Sequence, residues 1–167
     1  MTPVFLIGYM GSGKSTIGKS VAKVMNFPFV DLDDLIESEM NMTVEHIFNK
    51  KGESFFREKE HHVLVNYPFK SNTIVATGGG TPCFFNNQNF MNSIGHTIYL
   101  EISNNELVRR LLLCQNRPLL FNHKQNLKNF INTQIAYRKK FYQMSSYILK
   151  SDSISVNQTQ QLVNKII

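Results

Sequence analysis

The stretch Gly8-Tyr9-Met10-Gly11-Ser12-Gly13-Lys14-Ser15 decides the reading of this chain. It has the form GxxxxGKS, follows the apolar run Val4–Ile7 and opens an amphipathic segment, Lys14–Met25. Glycines at these spacings let backbone amides point inward without a Cβ in the way, which makes an anion nest at a helix N-terminus. In such a P-loop the lysine, here Lys14, reaches the β- and γ-phosphates of a nucleoside triphosphate, and the Ser15 hydroxyl ligates Mg²⁺. Gly11, Ser12, Gly13, Lys14, Ser15 and Thr16 are therefore expected to bind the triphosphate.

Outward from the loop, short apolar runs alternate with amphipathic stretches. The strand-like runs are Val4–Ile7, Phe29–Leu32, Thr73–Ala76, Thr97–Leu100 and, more weakly, Tyr147–Leu149. The helix-like segments are Lys14–Met25, Asp34–Met40, Val44–Lys50, Ser54–Asn66, Asn104–Cys114, Asn126–Gln143 and Gln158–Ile167. Thr43 is placed to cap the third of these and Gly52 to end it. Such alternation predicts an α/β fold with a parallel sheet covered by helices on both faces. The polar stretch Gln115–Gln125 reads as a loop long enough to move. Residues 81–95 suggest a helix and nothing more specific.

The composition sets bounds on this. With 167 residues the chain is expected to form one domain, and 42% apolar against 18% charged residues is a globular balance rather than a disordered one. Two cysteines, Cys83 and Cys114, stand outside any CxxC or Cys/His spacing, which excludes a disulfide scaffold or structural zinc site. No run approaches a membrane span or a signal peptide, so a cytoplasmic protein is expected. The net charge of +6 is uneven: residues 107–167 hold ten Lys/Arg against Asp152 alone. Those cations suit a solvated face, a nucleic acid or a polyanionic small molecule, and the motifs must choose.

Three further clusters do so. In Phe29-Val-Asp31-Leu-Asp33-Asp34, the alternation of Asp31 and Asp33 at the end of a strand predicts that both carboxylates point one way, into the crevice at the strand ends. One carboxylate there can serve Mg²⁺ while its neighbour accepts a proton from a substrate hydroxyl; helix capping is the competing role, above all for Asp34. Gly78-Gly79-Gly80 after the third strand would bring bare backbone to the same crevice. The arginines Arg57, Arg110, Arg117 and Arg138 are candidates for anions. An NKxD guanine motif is missing, since Asn49-Lys50-Lys51-Gly52 lacks the aspartate, and motor ATPases need larger cores, so small-metabolite and nucleotide kinases fit best.

Taken together, these residues resemble the shikimate kinase family from the P-loop to about Tyr142. The family's GxxGSGKST is matched by Gly8–Thr16, its DxD by Asp31 and Asp33, and its FRxxE by Phe56, Arg57 and Glu60. The glycine triplet is Gly78–Gly80, the RPLL lid is Arg117-Pro118-Leu119-Leu120, and RxxxY runs from Arg138 to Tyr142. The resemblance implies a three-layer P-loop fold with a five-stranded parallel sheet in order 2-3-1-4-5, substrate-binding helices at about 34–66 and a mobile lid at about 115–125. It also implies transfer of the γ-phosphate of ATP to the 3-hydroxyl of shikimate. On that basis Asp33, Arg57, Gly78, Gly79, Gly80 and Arg138 would hold shikimate, Phe48 and Phe56 would line its ring, and Glu60 would orient Arg57. Ser15 and Asp31 would serve Mg²⁺, Arg110 and Arg117 would approach ATP, and Lys14, Asp33 and Arg117 would carry the chemistry. The family often has an arginine after the last strand, beside adenine; Ser151-Asp152-Ser153-Ile154-Ser155 has none. Shikimate and ATP are thus the expected partners of a monomer, with no nucleic acid and no membrane. A gluconate or nucleotide kinase of the same fold is the alternative, and a P-loop ATPase acting on RNA lies further off.

Overall fold

The computed structural model describes residues 2–113 and 126–167. Its first strand, β1 (Val4–Ile7), sits at the centre of a parallel sheet, and all four of its residues are fully buried. Around it lie α1 (Lys14–Met25), β2 (Phe29–Asp31), α2 (Leu32–Met40), α3 (Val44–Asn66) and β3 (Ile74–Ala76). A short 3₁₀ turn (Thr81–Cys83), α4 (Asn87–Ile94), β4 (His96–Glu101) and α5 (Asn104–Leu113) follow. The chain then runs through α6 (Leu127–Tyr142), β5 (Tyr147–Lys150) and α7 (Val156–Ile166). The five strands are ordered β2-β3-β1-β4-β5, all parallel, as the alternating pattern and the resemblance led us to expect.

Strand alternation builds the two cores. Phe5 and Ile7 face one side, with Val75 and Tyr99, under Leu32, Ile47, Phe56, Leu107 and Ile131 of the helices there. Val4 and Leu6 face the other, with Ile74, Ile98 and Leu100, against Ile17, Val21 and Val163 of α1 and α7. Full burial of such side chains contributes about 1.5–3 kcal/mol each, which is why a four-residue strand can anchor the fold. A Cβ on Gly18 of α1 would lie 2.9 Å from the Phe29 ring and 3.0 Å from Leu6, so glycine sets how closely that helix meets the sheet.

The element ends differ from the sequence reading in instructive ways. β2 stops at Asp31, and Leu32 already begins α2, because the Asp31 side chain accepts the Asp33 amide as an N-cap. Asp31 and Asp33 are therefore not two alternating strand residues, and the cap is Asp31 rather than Asp34. Thr43 caps α3 by accepting the His46 amide, and Gly52, at φ 82°, interrupts that helix where the sequence separates two segments. Residues 81–95 are a 3₁₀ turn followed by α4 rather than one helix. Cys114, Arg117, the RPLL stretch and the lid proposed for 115–125 lie outside the described residues.

Candidate active site

The P-loop leads from β1 into α1 through Gly13, which sits in the left-handed region at φ 95° and has no side chain with which to cap the helix. That leaves the first turn of α1 as an anion site. Lys14 is buried to 8% exposure, and its Nζ donates to the carbonyls of Gly8 (2.9 Å) and Tyr9 (3.1 Å), so the ammonium is held along the loop. Next to it the Ser15 hydroxyl donates to Asp31 Oδ2 at 2.6 Å. These are hard oxygen donors of the kind Mg²⁺ takes, beside a site for phosphates that would complete its shell. Among the described residues no cluster of three His, Cys, Asp or Glu side chains could hold a metal by itself.

Arg110 on α5 closes the outer side of this site. Its guanidinium donates to Glu106 (2.8 Å), to the Gly11 carbonyl (3.1 Å) and to the Asp152 carbonyl (2.6 Å). Hydrogen bonds from Arg109 and Arg110 hold the Glu106 carboxyl down at about 2. The segment after β5 is thus tied to α5 through the Asp152 carbonyl. Gly11, Gly13, Lys14, Ser15, Thr16, Asp33, Gly79 and Arg110 share a cavity of about 500 Å³.

A second cavity, of about 440 Å³, opens beside the first and is lined by Asp33, Phe48, Phe56, Arg57, the glycine triplet and Arg138. Arg57 Nη1 donates to the fully buried Glu60 at 2.8 Å, and its Nε and Nη2 donate to Glu53 at 3.2 Å. Three aromatic rings surround the same guanidinium, with Phe84 at 4.8 Å, Phe56 at 5.1 Å and Phe48 at 5.7 Å from Cζ to ring centre. Arg138, on α6, donates to Gln134 at 2.9 Å and lies 5.3 Å above the Tyr9 ring. Two arginines from helices far apart in sequence thus converge on one pocket, ready for a planar anion.

The glycine triplet serves this convergence by absence of volume. A Cβ on Gly80 would fall 2.5 Å from Arg57 Nη2, and one on Gly78 would fall 2.5 Å from Glu60 Oε1 and 3.2 Å from Asp33 Oδ1. On Gly79 it would meet Arg138 Nη1 at 3.6 Å, and the Gly79 carbonyl accepts the Tyr142 hydroxyl at 2.6 Å. The triplet is the floor onto which the charged side chains are packed.

Asp33 and Gly79 line both cavities. Burial, reinforced by the negative charges of Glu60 and Asp31, pushes the Asp33 carboxyl up to about 6. A carboxylate with that affinity for protons, between the P-loop cavity and the pocket of Arg57 and Arg138, suits a hydroxyl group that must be oriented and relieved of its proton. Of the described residues expected at the site, all but three line one of the two cavities; Asp31 and Glu60 bond to the lining residues Ser15 and Arg57, whereas Ser12 is buried within the loop, and Arg117 lies outside the description. Glu53 and Gln134 were not anticipated; each stands four residues before an arginine on the same helix, a spacing that signals an i,i+4 pair. A separate cleft of about 510 Å³, lined by Tyr99, Asn132 and Lys150 among others, holds no P-loop residue and none of Arg57, Arg110 and Arg138.

Residues 10–167 match the family model described as shikimate kinase. The shikimate kinase of Phocaeicola vulgatus is 42% identical over 156 residues, covering 92% of this chain and 89% of that protein. The crystal structure of a shikimate kinase from Bacteroides thetaiotaomicron superposes with a TM-score of 0.91 at 38% identity, covering 98% of both chains. A shikimate kinase from Acinetobacter baumannii in complex with shikimate gives a TM-score of 0.86 at 29% identity, covering 99% of this chain and 90% of that one.

Proposed function

The chain belongs to the shikimate kinase family, and from that premise we infer that it transfers the γ-phosphoryl group of ATP to the 3-hydroxyl of shikimate. The observation that carries this reading is the position of Asp33 and Gly79 on the seam between a triphosphate cavity and a pocket with two arginines. Transfer needs the acceptor oxygen in line with the γ-phosphorus and the developing charge neutralised, with little covalent work for the protein.

Each group then has a task. Lys14, leaving its loop carbonyls, neutralises the transferring phosphoryl group, and Arg110 flanks the phosphates from α5. Ser15 and Asp31 would hold Mg²⁺, which when bound offsets charge on the β- and γ-phosphate oxygens. Arg57 and Arg138 grip the shikimate carboxylate, Glu60 fixes the plane of Arg57, and Phe48 and Phe56, 4.6 Å apart, form a wall for the ring. The helices spanning about 34–66 act as the acceptor-binding unit. Asp33, ionised above about pH 6, accepts the hydrogen bond of the 3-hydroxyl and then its proton. Arg117 is assigned a second cation at the phosphates on the strength of the RPLL match. The working form in this proposal is a single chain in the cytoplasm.

The alternative acceptors fit less well. A nucleoside monophosphate would set its phosphate against the Asp33 carboxylate and be repelled, and the family of the relatives does not favour gluconate. Phosphorus NMR of the product made from ATP, Mg²⁺ and shikimate tests the reading, with a 3-phosphate ester expected. Phosphate on another hydroxyl, or release of inorganic phosphate alone, would contradict it.

A further inference from the structure

The turn after the glycine triplet holds a buried hydroxyl aimed at Glu60, the carboxylate that pairs with Arg57. Thr81 is fully buried, and its Oγ1 donates to Glu60 Oε1 at 2.5 Å. The other oxygen of that carboxylate, Oε2, accepts Arg57 Nη1 at 2.8 Å. Glu60 is itself fully buried, so its charge depends on these donors rather than on water. Around the Cβ position that Gly78 leaves empty, Glu60 Oε1, Thr81 Oγ1 and Asp33 Oδ1 all approach within 3.2 Å.

The chain spends conformational energy to keep this arrangement. Phe85 and Asn86 are both left-handed, at φ 48° and 59°, a backbone region in which a bulky residue such as Phe85 is strained. The turn they make brings the Phe84 ring to 4.8 Å from the Arg57 guanidinium. It also lets buried Asn87 donate to the Thr81 carbonyl at 3.0 Å, while Asn87 Oδ1 lies 2.7 Å from His61 Nδ1 on α3. The His61 ring stacks on Phe85 at 5.2 Å, which ties the strained turn to the helix that carries Arg57 and Glu60.

We propose that Thr81 is a positioning residue for the acceptor: its hydroxyl fixes Glu60 so that Arg57 presents its free edge to the substrate carboxylate. The proposal rests on the reading of the second cavity as the shikimate site. Valine at position 81 keeps the shape but offers Glu60 no donor. The carboxylate then turns, and Arg57 loses its fixed plane. Serine keeps the donor. Chemistry at the phosphates is untouched, because Thr81 contacts none of the P-loop groups described above.

The test is steady-state kinetics of the full chain and its Thr81→Val, Thr81→Ala and Thr81→Ser variants, varying shikimate and ATP separately. Losing a hydrogen bond to a charged group predicts a KM for shikimate raised about 10-fold or more in the Val variant. Measured at pH 8, where Asp33 is ionised whether or not Glu60 is held beside it, the kcat should stay within about threefold and the KM for ATP within about twofold, with Thr81→Ser close to the unsubstituted chain. Should the Val variant be insoluble, Thr81→Ala removes the same hydroxyl without adding bulk and must give the same split. An unchanged KM for shikimate, equal losses for both substrates, or a Ser variant as poor as Val would overturn the assignment. The unsubstituted chain tests the functional reading separately: failure to turn over shikimate would sink both, whereas normal turnover with an indifferent Thr81→Val sinks this one alone.

Discussion

The Ser15 hydroxyl and the Asp31 carboxylate meet at 2.6 Å, while the other oxygen of Asp31 caps α2 through the Asp33 amide at 3.0 Å. One side chain thus joins the P-loop to the helix that carries the proposed acceptor-orienting group. A proposed metal ligand that also caps a helix can be dissected by substitution, because asparagine caps as well as aspartate but has no charge. Asp31→Asn should keep its melting temperature, hold its KM for shikimate, and need about tenfold more Mg²⁺ for half-maximal rate, a loss of roughly 1.4 kcal/mol. Titration of activity with Mg²⁺ at fixed ATP checks this. Asp31→Ala should lose about 1 kcal/mol of stability as well.

Asp33 predicts opposite effects on stability and activity. Its carboxyl binds a proton more tightly in the folded chain, at about 6, than at its ordinary value of 3.8, chiefly because it is buried. Ionising it therefore costs the fold stability as pH rises from about 4 through about 6, up to on the order of 3 kcal/mol above that window. Asp33→Asn should melt higher than the unsubstituted chain at pH 7–8, with the difference vanishing near pH 4. Its kcat should fall below about a tenth, more than 1.4 kcal/mol of lost transition-state stabilisation. In the unsubstituted chain, kcat/KM for shikimate should decline on acidification with an apparent pKa near 6. A flat profile between pH 5 and 7 would remove Asp33 from the acceptor role.

Arg57 and Arg138 differ in how tightly they are held. Arg57 is caught between Glu53, Glu60 and three phenylalanine rings, whereas the hydrogen bond described for Arg138 is to Gln134. Truncating one side of a buried charged contact costs about 2–5 kcal/mol, or roughly 30- to 5,000-fold in affinity. Calorimetry should show shikimate affinity falling by that much for Arg57→Ala and Arg138→Ala, with affinity for an ATP analogue unchanged. Lysine should rescue Arg138 better than Arg57, since a point charge cannot serve the two carboxylates that hold Arg57 in its plane.

How much of this could be read from the sequence follows from what each residue's role depends on. The P-loop, the parallel order and both core faces follow from local patterns, namely glycine spacing and alternating apolar runs around Val4–Ile7. Asp31 and Asp33 were legible as a pair, but their geometry was not. A strand period cannot reveal that the first aspartate caps the helix and ends the strand, since that depends on a hydrogen bond to Asp33. The glycine triplet was visible as bare backbone, while its use as space for Arg57 and Glu60 depends on a helix packed over it from twenty residues upstream. Thr81 was equally silent, because its partner is chosen by tertiary packing.

Gly80 gives that packing a direct test. Its φ is −98°, which any residue tolerates, and the first atoms an alanine Cβ would meet there are those of the Arg57 guanidinium, at 2.5 Å. Gly80→Ala should fold, keep its KM for ATP and raise the KM for shikimate about 10-fold or more, because the guanidinium must leave its place beside Glu60. Kinetics that match the unsubstituted chain would show that Arg57 has no need of that space.

The central claim, that this site phosphorylates shikimate, is tested most directly by coupled ADP release over a panel of acceptors. The panel holds shikimate, gluconate and the nucleoside monophosphates, each with ATP and Mg²⁺. Rapid ADP release with shikimate, and release at the acceptor-free background with the others, is the expected result. Silence with shikimate together with turnover of gluconate or a nucleoside monophosphate would contradict the claim.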